Sequence, residues 1–184
     1  SDVAGRLFDR PPLLVDITTA NGLSFTIVNN HFASKAAPDA CRESQAMFVR
    51  DLVADIEATG GDAIVAGDLN AFEDEGALAI LEDGTTTLTN LWSQAPADER
   101  YSFAFSGRLQ TIDHILVTAD LADSVRDFRY AHFNTDYFDR RTTPISQPDG
   151  HHVSDHDPPV LTLSDPPVDH TAPTTTAPSS TSTT

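Results

Sequence analysis

Apolar residues recur along this chain at two different spacings, and each change of spacing marks a predicted element. Leu13 to Thr19 is rich in apolar and β-branched residues and predicts a strand. Asn21-Gly22 is a two-residue hairpin signal, and Leu23 to His31 predicts the partner strand, with Leu23, Phe25 and Ile27 on one face. From Cys41 to Thr59 the period lengthens. Phe48, Val49, Leu52, Val53 and Ile56 fall at helical spacing and predict one buried stripe, with Met47 as core filler. Gly60-Gly61 follows the last apolar position, as glycine commonly does past a helix end. Asp62 to Ala66 then predicts a short buried strand. Strand, helix and strand in succession indicate a layered α/β domain.

Further along, Phe72 to Asp83 predicts a loop with a short helix over Ala77 to Leu81, and Thr85 to Trp92 matches neither period. Tyr101 to Ser106 and Gln110 to Thr118 predict strands, the second interrupted by Asp113 and His114. Ser124 to Phe133 predicts another strand, Asn134 to Gly150 a long polar loop, and Val160 to Leu163 a closing strand. From Pro166 the composition shifts, and Thr171 to Thr184 contains only Thr, Ser, Ala and Pro. Such a stretch cannot bury a core and is expected to be extended or disordered. The organisation expected is one domain over residues 1–166 and a spacer-like tail over 167–184.

Hydrophobic residues make up 39%, enough for a core, and no apolar run is long enough to span a membrane. Ser1-Asp2-Val3 lacks the basic start and apolar stretch of a secretory leader, and the single Cys41 excludes an intrachain disulfide. The net charge of −17 repels nucleic acid at long range, which argues against tight, metal-free binding. It leaves room for a local phosphate site built around a cation.

Polar residues that could carry chemistry sit at predicted strand ends or interrupt predicted strands: His31 to Lys35, Asp68 to Asn70, Asp113-His114 and Ser154 to Asp157. Each has a plain structural account. Asp68 and Asn70, two apart, share a direction on extended chain, but Asp and Asn also make ordinary turns. His151-His152 beside Asp155-His156 suggests a soft metal, yet the spacing matches no standard zinc pattern. Together the clusters supply what phosphate-ester hydrolysis needs. Oxygen ligands hold a hard cation, a carboxylate acts on water, and donors grip the non-bridging oxygens.

In order along the chain, Asn30-His31-Phe32-Ala33-Ser34-Lys35, Gly67-Asp68-Leu69-Asn70, Ile112-Asp113-His114-Ile115 and Ser154-Asp155-His156-Asp157-Pro158 resemble the motifs of the endonuclease/exonuclease/phosphatase superfamily, metal-dependent phosphoesterases that include DNase I. Arg10-Pro11-Pro12-Leu13 resembles the large secreted bacterial nucleases of that group, and the resemblance covers residues 10 to 163. It implies the C-terminal half of a four-layered α/β sandwich, with a mostly antiparallel or mixed sheet and flanking helices. It implies that Asp68 activates the attacking water and that Asn70 bonds that water or the phosphate. His31 and His156 would hold the scissile phosphate, with Asp113 orienting His156. Asp155, with Asp68 and Asn70, would hold Mg²⁺, or Mn²⁺ or Ca²⁺. A DNA or RNA substrate and a secreted or cell-surface location follow from the same likeness.

In that superfamily the first half of the fold supplies an Asn and a Glu to the metal, and no counterpart precedes Leu13. The chain alone is therefore expected to be poorly active and to need its missing N-terminal half. Arg140-Arg141 and Tyr137-Phe138 are candidate contacts to a nucleic-acid strand. A phospholipid or small phosphate ester is the alternative substrate, and a non-catalytic surface binding module the alternative class.

Overall fold

The computed structural model describes residues 6–136 and 153–164. Arg140-Arg141, Tyr137-Phe138, His151-His152 and the Thr/Ser/Pro/Ala tail lie outside the described residues.

A five-stranded mixed sheet organises the rest. Strands β1 (Leu13–Thr18), β2 (Ser24–His31), β3 (Ala63–Asp68), β4 (Thr89–Asn90) and β7 (Asp113–Val117) lie in the order β1-β2-β3-β7-β4. β2 and β3 are parallel, because the helix α1 (Asp39–Ala58) carries the chain back between them, and the other pairs are antiparallel. Two small ladders complete the set. One joins β5 (Phe103–Phe105) to β6 (Arg108–Gln110), the other β8 (Val125–Tyr130) to β9 (Pro159–Leu163). This is the α/β fold expected.

The period-2 alternation of β3 and β7 sorts their side chains between two cores. Ala63, Val65 and Leu116 join Val28, Phe32, Val49 and Val53 under α1 and the short helix α2 (Gly76–Leu81). Ile64, Ile115 and Val117 face the other way, against Leu91, Leu121, Phe128 and Tyr130. Being covered on both faces fixes the register of the central strands, since a one-residue slip would exchange every side chain between cores. Edge strand β1 is less protected, with Leu13 60% and Leu14 48% exposed.

The structure corrects several expectations. Met47 is 42% exposed and Phe48 47% exposed, not core. Of the expected stripe, Val49 and Val53 are buried and Leu52 and Ile56 pack against the core, while the buried face extends toward the N-terminus through Arg42, Gln45 and Ala46. Two polar residues take apparent core positions because each satisfies loop backbone. Arg42 donates to the Ser34 carbonyl at 2.8 Å, and Gln45 accepts from Ala33 N at 2.8 Å. The Asn21-Gly22 turn exists, closed by Gly22 N donating to Thr19 O at 3.1 Å, but it sits within a five-residue connection rather than a two-residue hairpin. The strand expected over Gln110 to Thr118 breaks at Thr111-Ile112, not at Asp113-His114. Those two begin β7 and are buried.

Gly67 marks the tightest backbone approach. Its φ is +124°, and a Cβ there would lie 2.0 Å from the Asn30 carbonyl oxygen on β2. Only glycine accepts both the conformation and the contact.

Candidate active site

Strand register places three of the predicted residues in one row. His31 ends β2 opposite Asp68, which ends β3, and Asp68 stands opposite Asp113, which begins β7. The fourth, His156, reaches the row from just before β9, with Nδ1 donating to Asp113 Oδ2 at 2.7 Å. Asp113 Oδ2 also accepts from Ser102 Oγ at 2.7 Å, so its orientation is set from two sides.

Asn70 joins through a turn, not through strand spacing. The strand ends at Asp68, and Asn70 has a left-handed φ of +48°. Its backbone N donates to Asp68 Oδ1 at 2.8 Å, and its amide nitrogen donates to Asp68 Oδ2 at 3.1 Å and to the Phe32 carbonyl at 3.2 Å. The turn reading and the site reading thus describe one arrangement. With its amide hydrogens engaged, the group Asn70 can offer a ligand is its carbonyl oxygen.

Arg10 is the residue whose role the motifs did not reveal. Its guanidinium donates to His31 Nδ1 at 2.8 Å. A guanidinium has no acceptor, so Nδ1 carries no proton and the ring hydrogen lies on Nε2, 3.5 Å from Asp68 Oδ2. A lone arginine before Pro11-Pro12 in an acidic chain was the available signal. Arg10 and His31 also line a cavity of about 130 Å³ with Asp9, Ser34 and Gln45.

Burial and the nearby Asp113 carboxylate push the Asp68 carboxyl above its ordinary range, against the Asn70 hydrogen bond and the two imidazoles. His156 is raised by its hydrogen bond to Asp113, so it keeps its second proton to higher pH than a free imidazole. Both shifts favour the protonated form, and groups perturbed in this way by burial and by close neighbours gather where proton transfer is carried out.

Second-layer contacts hold this row. His114 is fully buried. Asn90 donates to its Nδ1 at 3.0 Å and its Nε2 donates to the Ala71 carbonyl at 2.9 Å, pinning the turn after Asn70. Lys35 pairs with Glu75 and lies 3.6 Å over the Phe72 ring, bridging the loops that follow β2 and β3. Asp157, also fully buried, is an anchor. Burial pushes its carboxyl up, but bonds from the Thr135 hydroxyl, His132 and two backbone amides outweigh this and hold it low. Those bonds tie residues 132–135 to the segment carrying His156.

Burial depresses the His114 pKa from 6.5 to about 4. The unfolded chain therefore takes up this proton first as pH falls, and the contribution to stability is lost from about pH 6.5 down through pH 4. The full loss is about 3 kcal/mol. Urea unfolding at pH 7 and pH 4.5 should show a larger decrease for the wild type than for His114→Gln. Equal decreases would show that His114 does not carry this dependence.

Asp155 is exposed beside His156. Among the described residues, no group of three or more His, Cys, Asp or Glu side chains is arranged to hold a metal ion. Asp68 and Asn70 nevertheless supply adjacent hard oxygen donors, and the raised pKa of Asp68 marks negative charge that a cation would relieve. That fits Mg²⁺, which commonly takes one or two carboxylates and fills its shell with waters and substrate phosphate.

Solved structures share this fold. A mannosyl-6-phosphatase from Bacteroides thetaiotaomicron is 18% identical with TM-score 0.56, over 78% of this chain and 52% of that one. A 3' phosphatase from Neisseria, bound to a product DNA hairpin, is 19% identical with TM-score 0.52, over 82% and 64%. An AP endonuclease from Archaeoglobus fulgidus is 17% identical with TM-score 0.54, over 82% and 64%. The chain spans about half the length of several such structures. No curated protein is significantly similar in sequence. The Endonuclease/Exonuclease/phosphatase family model matches residues 4–156, and the chain belongs to that family.

Proposed function

We propose that this chain is the C-terminal half of a metal-dependent phosphodiester hydrolase, a secreted nuclease acting on DNA or RNA. The observation that carries the reading is the row His31, Asp68, Asp113 with His156 bonded to its end. Unrelated structural needs do not require two carboxylates and an imidazole in register at strand ends with a second imidazole bonded to one of the carboxylates.

In this reading Asp68 takes the proton of the attacking water, and Asn70 orients that water by accepting from it through its carbonyl oxygen. His156, held by Asp113 and with no hydrogen bond to its Nε2 among the described residues, donates to a non-bridging oxygen and stabilises charge as it builds. His31 does the same from the other side, its Nε2 proton fixed by Arg10. Asp68 and Asn70, with Asp155, would hold a divalent cation, Mg²⁺ before Mn²⁺ or Ca²⁺. When bound, the cation neutralises phosphate charge and favours ionisation of water. The Ser/Thr/Pro/Ala tail is in keeping with a secreted protein. The half-length match and the apolar edge at Leu13 and Leu14 support an active unit that includes a companion N-terminal half.

Plasmid DNA, RNA and sphingomyelin assayed side by side with Mg²⁺ test this. Slow hydrolysis of nucleic acid by residues 1–184 alone and fast hydrolysis by the two-half unit, both stopped by chelation, are expected. Turnover of sphingomyelin only, or of no phosphodiester at all by the two-half unit, would overturn the nuclease reading. Calorimetric titration of the two-half unit with Mg²⁺ should give heat that Asp68→Asn abolishes. Undiminished heat in that variant would remove Asp68 from the cation site.

A further inference from the structure

The hairpin β5–β6 stands beside His156, and its composition is unusual for a surface ladder. Phe105 is 60% exposed and Leu109 58% exposed. The register pairs Phe103 with Gln110, Ala104 with Leu109 and Phe105 with Arg108. Residues two apart on a strand, and residues directly paired across it, share a face. Phe103, Phe105 and Arg108 thus lie on one face, and Leu109 on the other.

The first face continues the active-site row. Phe103 packs on the His156 ring, with centroids 4.7 Å apart and planes at 37°. Phe105 lies next, 6.2 Å from Phe103 with planes only 12° from parallel. The three rings form a ladder running outward from the imidazole that holds the phosphate in the reading above. Its outer rung is open to solvent, and no described contact covers it. Arg108, across from Phe105, is exposed and makes no ion pair among the described residues.

We propose that Phe105, with Phe103 behind it, is a stacking subsite for a nucleobase flanking the scissile phosphate, and that Arg108 meets the adjoining phosphate. The proposal rests on the phosphodiesterase reading and specifies its substrate class. A planar π-face is what a ladder of near-parallel rings can extend. A sugar ring would need polar partners that Phe103 and Phe105 lack, and an acyl chain would gain nothing from their alignment. Stacking reads no sequence, because every base has a π-face. It also adds affinity where the chain's negative charge limits what phosphate contacts can supply.

The test uses a labelled single-stranded oligonucleotide and the same strand with every base removed, bound to the wild type, Phe105→Ala, Phe105→Trp and Leu109→Ala at low salt. Base stacking contributes about 1–3 kcal/mol per base, so Phe105→Ala should weaken binding of the base-bearing strand by about fivefold or more. Its binding of the base-free strand should be unchanged. Phe105→Trp should restore affinity, and Leu109→Ala, on the opposite face, should leave it unaltered. Equal weakening on both strands, or none on either, overturns the subsite, as does a wild type that binds neither strand. Hydrolysis is scored separately. A wild type whose base-dependent binding is lost in Phe105→Ala but which, in the two-half unit with Mg²⁺, cleaves nothing upholds the subsite and defeats the phosphodiesterase reading.

Discussion

His156→Ala is expected to lower kcat by about 10²–10⁴-fold, the range typical for loss of a positioned proton donor or acceptor. The side chain is 25% exposed and its described side-chain contacts are the Asp113 hydrogen bond and the Phe103 ring, so the melting temperature should change little. Asp113→Asn separates orientation from charge. The amide keeps an oxygen for Ser102 Oγ and His156 Nδ1. The charge that raises the His156 pKa is gone. If protonated His156 is the active form, the rate falls at high pH as that proton is lost. Removing the Asp113 charge should therefore move the basic limb of the pH–rate profile to lower pH. Rates within a few-fold of wild type for His156→Ala, or an unmoved basic limb for Asp113→Asn, would take this pair out of the chemistry.

The second large effect concerns the backbone. Gly67→Ala places a methyl 2.0 Å from the Asn30 carbonyl, at a φ of +124° that alanine disfavours. Neither neighbour is a flexible side chain, so β2 and β3 must separate where His31 and Asp68 stand opposite each other. A destabilisation of more than about 4 kcal/mol is expected, in the exceptional tail for single substitutions, read as a lowered urea midpoint with near-complete loss of activity. A variant that unfolds at the wild-type midpoint would mean that the strands tolerate the added carbon and that the close approach is not required.

The candidate row was legible in sequence because catalytic side chains at strand ends leave polar residues where an apolar run stops. His31, Asp68 and Asp113 all stand at such points, and register brings them level. Arg10 carried no such mark, since its significance is a single hydrogen bond to a ring 21 positions away. The strands were legible for the same periodic reason, and β1, β2 and β9 end within one residue of expectation, but the break between β6 and β7 was not legible. The chain turns at Thr111-Ile112 because Ile112 N and Asp113 N both bond the Ser102 hydroxyl, a tertiary contact that no local pattern encodes. The helix α1 was placed to within two residues and the middle of its buried face was legible, but Met47 and Phe48 are exposed and the first turns bury polar residues instead. Arg42 and Gln45 carry no apolar mark, and their burial depends on the loop carbonyl and amide they satisfy.

The order β1-β2-β3-β7-β4 also constrains how the molecule acquires its activity. β7 must insert between β3 and β4 after some forty residues of intervening chain, and only that insertion brings Asp113 beside Asp68. Pairings this remote in sequence form late and slowly. A nascent or partly collapsed polypeptide could shelter its first core beneath α1 and still be chemically inert. Competence would wait for β7 and for the later segment whose His156 bonds to it.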